Sequence, residues 1–212
     1  MSLSGGARHS YTFQITLLAV TPPVWRLVVA PGHLTLTQLH DVIQLAMGWE
    51  RKHPYRFDIA GTNYEAERRA EGPAEAIDPG SVTLDDLNLT QGSTLTYIYD
   101  FKDDWVHHLT VQGVAPSTLA APVLLGGAGA CPPEASGGPG KYAELLAALR
   151  TPDSAAGKAA KQRLGARTDP ACWEPEAAAT ELPKVGTAPA RQPSEHSQPH
   201  TGSSKKNRRH RR

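Results

Sequence analysis

The chain has 212 residues and a formal net charge of +1, a length that suits one domain of ordinary size and a tail. The near-neutral total hides an uneven distribution, because the last eight residues, Lys205–Arg212, hold six Lys or Arg and no acid. Without them, 16 basic and 21 acidic residues leave a net charge of −5. Such a body argues against nucleic-acid binding through bulk charge, whereas the tail suits any polyanion.

Cysteine content and hydropathy indicate the compartment. Cys131 and Cys172 are too few for a disulfide framework and fit a reducing environment. The first ten residues, MSLSGGARHS, contain no apolar signal core, and no run approaches the roughly 20 apolar residues of a membrane helix. We therefore expect a cytoplasmic protein with no membrane partner.

The chain begins with two strands and a helix. Alternating side chains predict a strand at Tyr11–Val20, and Val24–Val29 predicts a second strand that pairs with it in an antiparallel hairpin. Thr35 followed by Gln38 is a capping-box pattern that predicts the start of a helix. Gly48 is a suitable residue for the C-terminal end of that helix.

Later segments repeat these patterns between polar loops. Glu65–Gly80 is rich in charged residues, Gly and Pro and predicts a long loop, and Val123–Gly140 predicts a Gly/Pro loop. The other predicted elements are a strand at Tyr55–Ile59, a strand beginning at Tyr64, a helical turn at Thr83–Leu87, strands at Thr94–Phe101 and Trp105–Val111, and helices at Tyr142–Arg150 and Ala155–Leu164.

The order of these elements indicates the fold class. It resembles the β-grasp fold of ubiquitin, and Thr83–Asp100 resembles the short helix and last strand of that fold. We expect one α+β domain over residues 8–184, a β-grasp-like roll with an added hairpin strand and C-terminal helices. Residues 1–7 and 185–212 have little to bury and are expected to be disordered.

The strongest chemical signal is an acidic corner in Tyr97–His108, YIYDFKDDWVHH. Strand alternation places His107 near carboxylates of the turn. His and carboxylate ligands suit Zn²⁺, Mn²⁺ or Fe²⁺, so the pattern indicates a divalent metal as the candidate cofactor. The candidate polar or metal-site residues are His53, Asp100, Asp103, His107 and Glu134.

Interpretations without a metal stay open. His107 oriented by Asp103 or Asp100 is the arrangement of a general base, although no nucleophile is evident and Cys131 favours a structural role. Such a pair at a strand corner also commonly satisfies buried polar groups. We expect Arg26 and Trp105 to support the site. Arg26 is predicted to form an ion pair with a corner carboxylate.

The tail carries a separate hypothesis. Lys and Arg contacts to phosphates give salt-sensitive and sequence-independent binding to DNA or RNA. A solvated, passive tail is the alternative interpretation. The six basic residues in question are Lys205, Lys206, Arg208, Arg209, Arg211 and Arg212.

Spaced motifs then indicate a family. In order they are PPVWR (22–26), LTQLHDVIQLAMGW (36–49), His53 with Phe57, YDFKDDWVH (99–107) and CPPEASGGPGKY (131–142). Over about residues 10–184 the chain resembles the plasmid pRiA Orf-three-like family, also described as the TnpR passenger protein of an insertion element. The resemblance implies an α+β fold and a bacterial or archaeal plasmid or mobile-element lineage, with no activity to carry over. The label TnpR suggests a resolvase, but the chain lacks a Ser nucleophile with flanking arginines.

Four positions depart from the family pattern. Lys102 replaces the glycine of the corner, and Ala135 and Ser136 replace the second acid and the second cysteine of the PPED-Cys-Gly-Gly motif. Tyr55 stands where a second histidine is common. A family function that needs the lost acid or cysteine pair would be absent here.

These observations favour an accessory or binding protein of a plasmid or mobile element, with a polar Asp/His site at the hairpin corner. A metal-dependent or His/Asp hydrolase is the first alternative. A nucleic-acid-binding accessory that acts through the basic tail is the second.

Overall fold

The structure is a computed structural model that describes residues 8–66 and 76–186. The predicted disorder of residues 1–7 lies outside the described residues. The same is true of the tail from residue 187 onward and of the central part of the predicted loop Glu65–Gly80.

In the described part of the chain, seven strands form one sheet in which every neighbouring pair is antiparallel. The strands are β1 (His9–Leu17), β2 (Val24–Pro31), β3 (Tyr55–Ile59), β4 (Thr62–Tyr64), β5 (Thr94–Tyr99), β6 (Trp105–Pro116) and β7 (Val123–Ala128). Their order across the sheet is β4-β3-β5-β6-β1-β2-β7. The helices are α1 (Leu36–Met47), α2 (Gly138–Ala148), α3 (Ala155–Leu164) and α4 (Glu176–Glu181). The predicted α+β class is confirmed.

Helix α1 begins and ends as its sequence predicts. The Thr35 hydroxyl accepts a hydrogen bond from the Gln38 N–H at 3.2 Å, and the Gln38 side chain accepts one from the Thr35 N–H at 2.9 Å. These bonds form a complete capping box. Gly48 ends the helix with φ +75°, a left-handed conformation that glycine adopts without steric strain.

Strand alternation divides the sheet into a buried face and a more polar face. The buried face and α1 belong to one apolar cluster, as period-two patterns predict. Fully buried members of the cluster are Phe13, Ile15, Val28, Leu39, Ile43, Phe57, Tyr97 and Leu109. One local and one long-range pairing position the corner: the predicted added strand, β6, forms a hairpin with β5 and pairs on its other side with β1.

The prediction of a Gly/Pro loop at Val123–Gly140 is wrong for the first third of that segment. Val123–Ala128 is strand β7, which pairs with β2 at the edge of the sheet. The segment VLLGGA lacks alternation and contains two glycines, so its strand conformation comes from pairing with β2 rather than from its own pattern. Helix α2 also begins earlier than predicted, at Gly138, because the Gly-Pro-Gly segment forms its first turn.

The predicted ion pair between Arg26 and a corner carboxylate is wrong. Arg26 is buried, and its guanidinium group lies 5.2 Å from the ring centroid of Trp173. Its N–H groups donate at 2.7–3.1 Å to four backbone carbonyls, those of Trp25, Ala46, Ala128 and Gly129. Burial lowers the pKa of Arg26 to about 10, so the side chain stays charged at neutral pH. Arg26 therefore joins the end of α1 to the end of β7.

We expect Arg26→Met to lower the free energy of unfolding by about 3 kcal/mol, because it leaves several buried carbonyls without donors. Urea denaturation followed by far-UV circular dichroism measures the change. The control is Lys141→Met, which removes an exposed ion pair to Glu144 and should change stability by less than about 1 kcal/mol. Equal effects of the two substitutions would contradict the role given to Arg26.

Candidate functional site

The corner between β5 and β6 is a turn held by Asp100. One carboxylate oxygen, Oδ1, accepts hydrogen bonds from the N–H groups of Lys102 at 3.1 Å and Asp103 at 3.5 Å. Asp100 and Asp104 have left-handed φ values of +55° and +54°, a conformation that Asp tolerates better than most residues. Lys102, in place of the family's glycine, therefore avoids positive φ.

Asp103 attaches the loop before α2 to this corner. Its Oδ2 atom accepts a hydrogen bond from the Gly137 N–H at 2.8 Å, and its side chain is buried. The next residue, Gly138, has φ +81°, and a Cβ atom there would collide with the Asp103 carbonyl oxygen. Asp103 therefore has a structural role that accounts for its burial.

His107 is fully buried and lies among aromatic rings. Its ring centroid is 5.2 Å from those of Trp49 and Tyr97, and its Nδ1 atom is 3.1 Å from the Trp105 carbonyl oxygen. Its Nε2 atom has no hydrogen-bond partner among the described residues. Burial lowers the pKa of His107 to about 3, so the ring is neutral at physiological pH.

The prediction that His107 pairs with a corner carboxylate is therefore wrong. Within residues 8–66 and 76–186, no hydrogen bond or ion pair joins His107 to Asp100 or Asp103. Trp105 is buried beside Trp49, with their ring centroids 6.0 Å apart. The inward face of β6 thus contributes to the core rather than to an open site.

Glu134 joins the predicted site to the chain that follows α1. Its Oε1 atom accepts hydrogen bonds from the Tyr99 hydroxyl at 2.7 Å and from the Glu50 N–H at 2.8 Å. The Tyr99 hydroxyl also accepts the Lys52 N–H at 3.1 Å. Burial, followed by the Glu134 carboxylate, raises the pKa of Tyr99, so Tyr99 keeps its proton and donates to Glu134.

The predicted histidine that does meet a corner carboxylate is His53. Its Nδ1 atom lies 3.6 Å from Asp100 Oδ2, with side-chain exposures of 33% for His53 and 7% for Asp100. The edge of the Tyr99 ring faces His53 at a centroid distance of 5.7 Å. Asp100 thus uses one oxygen to form the turn and directs the other to a partly exposed imidazole.

The segment before His53 is fixed by three successive backbone bonds. The N–H groups of Glu50, Arg51 and Lys52 each donate to a side chain, and Arg51 adopts a left-handed φ of +60°. The acceptors, in order, are Glu134, Gln44 and Tyr99, at 2.8, 3.0 and 3.1 Å. The polypeptide is thereby held in place while its basic side chains project toward solvent.

This segment borders a pocket of about 280 Å³. Residues 51–55 line it together with Glu65 and Ala66, which follow β4. Of the polar residues that line this pocket, only His53 was predicted from the sequence as part of a site. The run Arg51-Lys52-His53-Pro54 at a helix-to-strand connection was an available signal, whereas the approach of Glu65 depends on the β3–β4 hairpin.

A buried network supports Tyr55 from below the pocket. His40 stacks on Tyr55 with ring centroids 3.8 Å apart and an angle of 8°. The His40 Nδ1 atom is 2.7 Å from the Tyr97 hydroxyl, which also accepts a hydrogen bond from Gln44 at 3.0 Å. Burial, then the nearby Arg51 charge, lowers the pKa of His40 to about 3, so the ring is neutral at physiological pH.

The predicted metal ligands do not gather in one place. In the parts of the chain that the structure describes, no group of three or more His, Cys, Asp or Glu side chains is arranged to hold a metal ion. Cys131 is buried, which raises its thiol pKa to about 12. Ser136 donates to the Pro133 carbonyl at 2.7 Å, so the residue that replaces the family's cysteine helps to fix its loop.

Comparison with known proteins identifies the family. The sequence model described as plasmid pRiA4b ORF-3-like protein matches residues 9–180. The chain belongs to this family. No helix in the described residues has the length and apolar character to span a bilayer.

Two known proteins are similar to this pRiA4b ORF-3-like chain. It is 38% identical over 143 residues to the uncharacterized protein y4hQ of Sinorhizobium fredii (strain NBRC 101917 / NGR234), covering 66% of this chain and 72% of the relative. It also resembles the crystal structure of MM3350, a protein of unknown function from Methanosarcina mazei Go1. The TM-score is 0.71 at 26% identity, covering 81% of this chain and 98% of the other. The fold and the family are therefore shared with a bacterial and an archaeal protein.

The buried histidines make stability sensitive to acid. The folded-state pKa of His107 is about 3 and its ordinary value is 6.5, so the unfolded chain binds the proton first as the pH falls. The stabilisation is present above pH 6.5 and is lost progressively toward the folded pKa. For His107 this amounts to about 2 kcal/mol between pH 7 and pH 5.

We expect urea denaturation of the wild type and of His107→Leu to give a stability difference that shifts by this amount, in favour of the variant, from pH 7 to pH 5. The control is His108→Leu at the exposed neighbouring position, whose difference from wild type should stay constant. A pH-independent difference for His107→Leu would show instead that the ring takes up protons equally in the folded and the unfolded chain.

Proposed function

We propose that the chain is a cytoplasmic ligand-binding accessory protein of a plasmid or mobile-element lineage, and that its ligand site is the pocket beside His53. The lineage is supported by the family description and by the resemblance to TnpR passenger proteins. One observation carries the site: three consecutive basic residues, 51–53, border a pocket on a segment whose backbone is fixed by side chains of the interior. Preorganisation of this kind favours binding, because little conformational entropy is lost when the ligand arrives.

Binding is favoured over chemistry because the other candidate groups are already engaged. Asp103 holds Gly137, Glu134 holds Tyr99 and Glu50, and His107 is enclosed by the core. The corner therefore supports the pocket from behind. Of the predicted residues, His53 lines the pocket, and Asp100 lies behind it at 3.6 Å from the His53 Nδ1 atom.

The test is a two-dimensional NMR titration of the full chain with a set of small acids, amines and neutral compounds. We expect amide shifts to concentrate at residues 51–55 and 65–66, and His53→Ala to weaken the effective binders by about tenfold, or about 1.4 kcal/mol. His108→Ala, an exposed histidine on the opposite face of the sheet, is the matched control. Shifts that cluster elsewhere, or equal effects of both variants, would contradict the assignment.

The His53–Asp100 pair supports a second candidate, a hydrolase in which Asp100 orients the imidazole. This candidate predicts turnover of p-nitrophenyl acetate or bis(p-nitrophenyl) phosphate, with or without added Zn²⁺ or Mn²⁺, and loss of turnover in Asp100→Asn. Equal background rates for wild type and variant would leave the binding role as the better description.

The basic tail supports a third candidate, a nucleic-acid-binding accessory, because six of its last eight residues are Lys or Arg. Six phosphate contacts would give a plot of log K against log salt concentration a slope of about −5 on duplex DNA. We expect a chain truncated after residue 186 to lose that slope in fluorescence anisotropy. Unchanged binding by the truncated chain would exclude the tail.

A further inference from the structure

We infer that the pocket beside His53 takes a small zwitterion with an apolar side chain, the chemical class of an α-amino acid. This inference rests on the proposed function of the pocket and names its ligand. It follows from three features of the lining: basic groups on one chain segment, an acid on another, and a fixed aromatic ring between them.

The basic groups are suited to bind a carboxylate. Arg51 and Lys52 have side-chain exposures of 41% and 62%, and their acidic partners, Asp41 and Glu50, are also on the surface. Exposed ion pairs of this kind contribute about 1 kcal/mol or less, so a ligand carboxylate competes with them effectively. His53, whose Nδ1 atom lies 3.6 Å from Asp100 Oδ2, adds a polar ring on the same segment. The planar guanidinium group of an arginine can form two hydrogen bonds to a carboxylate, and a neighbouring lysine adds a compact positive charge.

The acidic group comes from the segment after β4. Glu65 is 6% exposed, and its backbone N–H donates to the Ile77 carbonyl at 3.0 Å, which fixes its position beside the pocket. A carboxylate that is shielded from water attracts a ligand ammonium group more strongly than one in open water. The ammonium interaction adds to the contacts that Glu65 makes within the chain.

The presence of both basic and acidic groups in the lining determines which class of ligand the pocket favours. A simple anion gains from Arg51 and Lys52 but is repelled by Glu65, and a simple amine meets the reverse situation. A ligand with both charges avoids either penalty. Its size must be modest, since about 280 Å³ is below the usual range for drug-sized ligands.

The aromatic wall provides the site for an apolar side chain. Tyr55 lines the pocket, and its ring is held from one side by the stacked His40 ring and at its hydroxyl by Thr37 Oγ1 at 3.3 Å. Pro54 adds a second rigid apolar surface. A ring fixed in this way offers its area to a ligand without loss of side-chain entropy.

The experiment compares three probes of one skeleton on the full chain by isothermal titration calorimetry and NMR. L-Phenylalanine carries both charges, phenylacetate lacks the ammonium group, and phenethylamine lacks the carboxylate. We expect L-phenylalanine to bind at least tenfold more tightly than either other probe, with shifts at residues 51–55 and 65–66.

Two variants assign the charges, and one is a control. Glu65→Gln should weaken L-phenylalanine by about tenfold and leave phenylacetate unchanged or stronger. Lys52→Gln, at an exposed position where the fold is not at risk, should weaken both. Lys158→Gln, on the exposed face of α3, should change neither.

The results distinguish a wrong ligand class from a pocket that binds no ligand. Phenylacetate or phenethylamine that binds at residues 51–66 as tightly as L-phenylalanine overturns the zwitterion and leaves a ligand pocket. Failure of all three probes to shift these residues overturns the zwitterion, and failure of the wider set of acids, amines and neutral compounds there removes the pocket as a binding site. If Glu65→Gln does not fold, the test rests on Lys52→Gln and on the comparison of the three probes. Unchanged affinity of Lys52→Gln for L-phenylalanine and phenylacetate would contradict the proposed zwitterion site.

Discussion

The Tyr99 hydroxyl is the point on which the site depends. It donates to Glu134 and accepts the Lys52 N–H, so one atom on a central strand fixes both the loop before α2 and the segment after α1. Glu134 then reaches the neighbouring Glu50 N–H. Because burial and the adjacent carboxylate keep the Tyr99 phenol protonated, this arrangement persists over the physiological pH range. The surface segment that borders the pocket is therefore attached to the sheet beneath it by side-chain hydrogen bonds.

Local patterns predicted the fold well where the structure is determined by local forces. The capping box of α1, its glycine end and the alternation of the central strands need only neighbouring residues, and each appears as predicted. Strand β7 was missed because VLLGGA has no alternation and gains its conformation from β2. The α+β class followed from element order, whereas the insertion of β6 between β5 and β1 is a long-range pairing that no local pattern encodes.

The same distinction explains the site. Strand alternation correctly placed His107 on the inner face of β6, but it does not say whether that face meets carboxylates or aromatic rings, and Trp49 and Tyr97 occupy the space. His53 and Asp100 come together across 47 residues through the pairing of β3 with β5, which also brings Tyr55 opposite Tyr99. The sequence was sufficient to recognise the titratable residues of the site. Which residues they contact depends on the register of the sheet, which the sequence pattern does not give.

The guanidinium group of Arg26 has a consequence for the order in which the protein acquires its structure. From β2 it bonds to carbonyls 102 and 103 residues further along the chain, while its Nε atom holds the last turn of α1. Closing so long a loop carries a large entropic penalty, and contacts between distant residues slow folding. During synthesis, the Arg26 guanidinium group therefore completes its hydrogen bonds only after Ala128 and Gly129, well past the middle of the polypeptide, have left the ribosome.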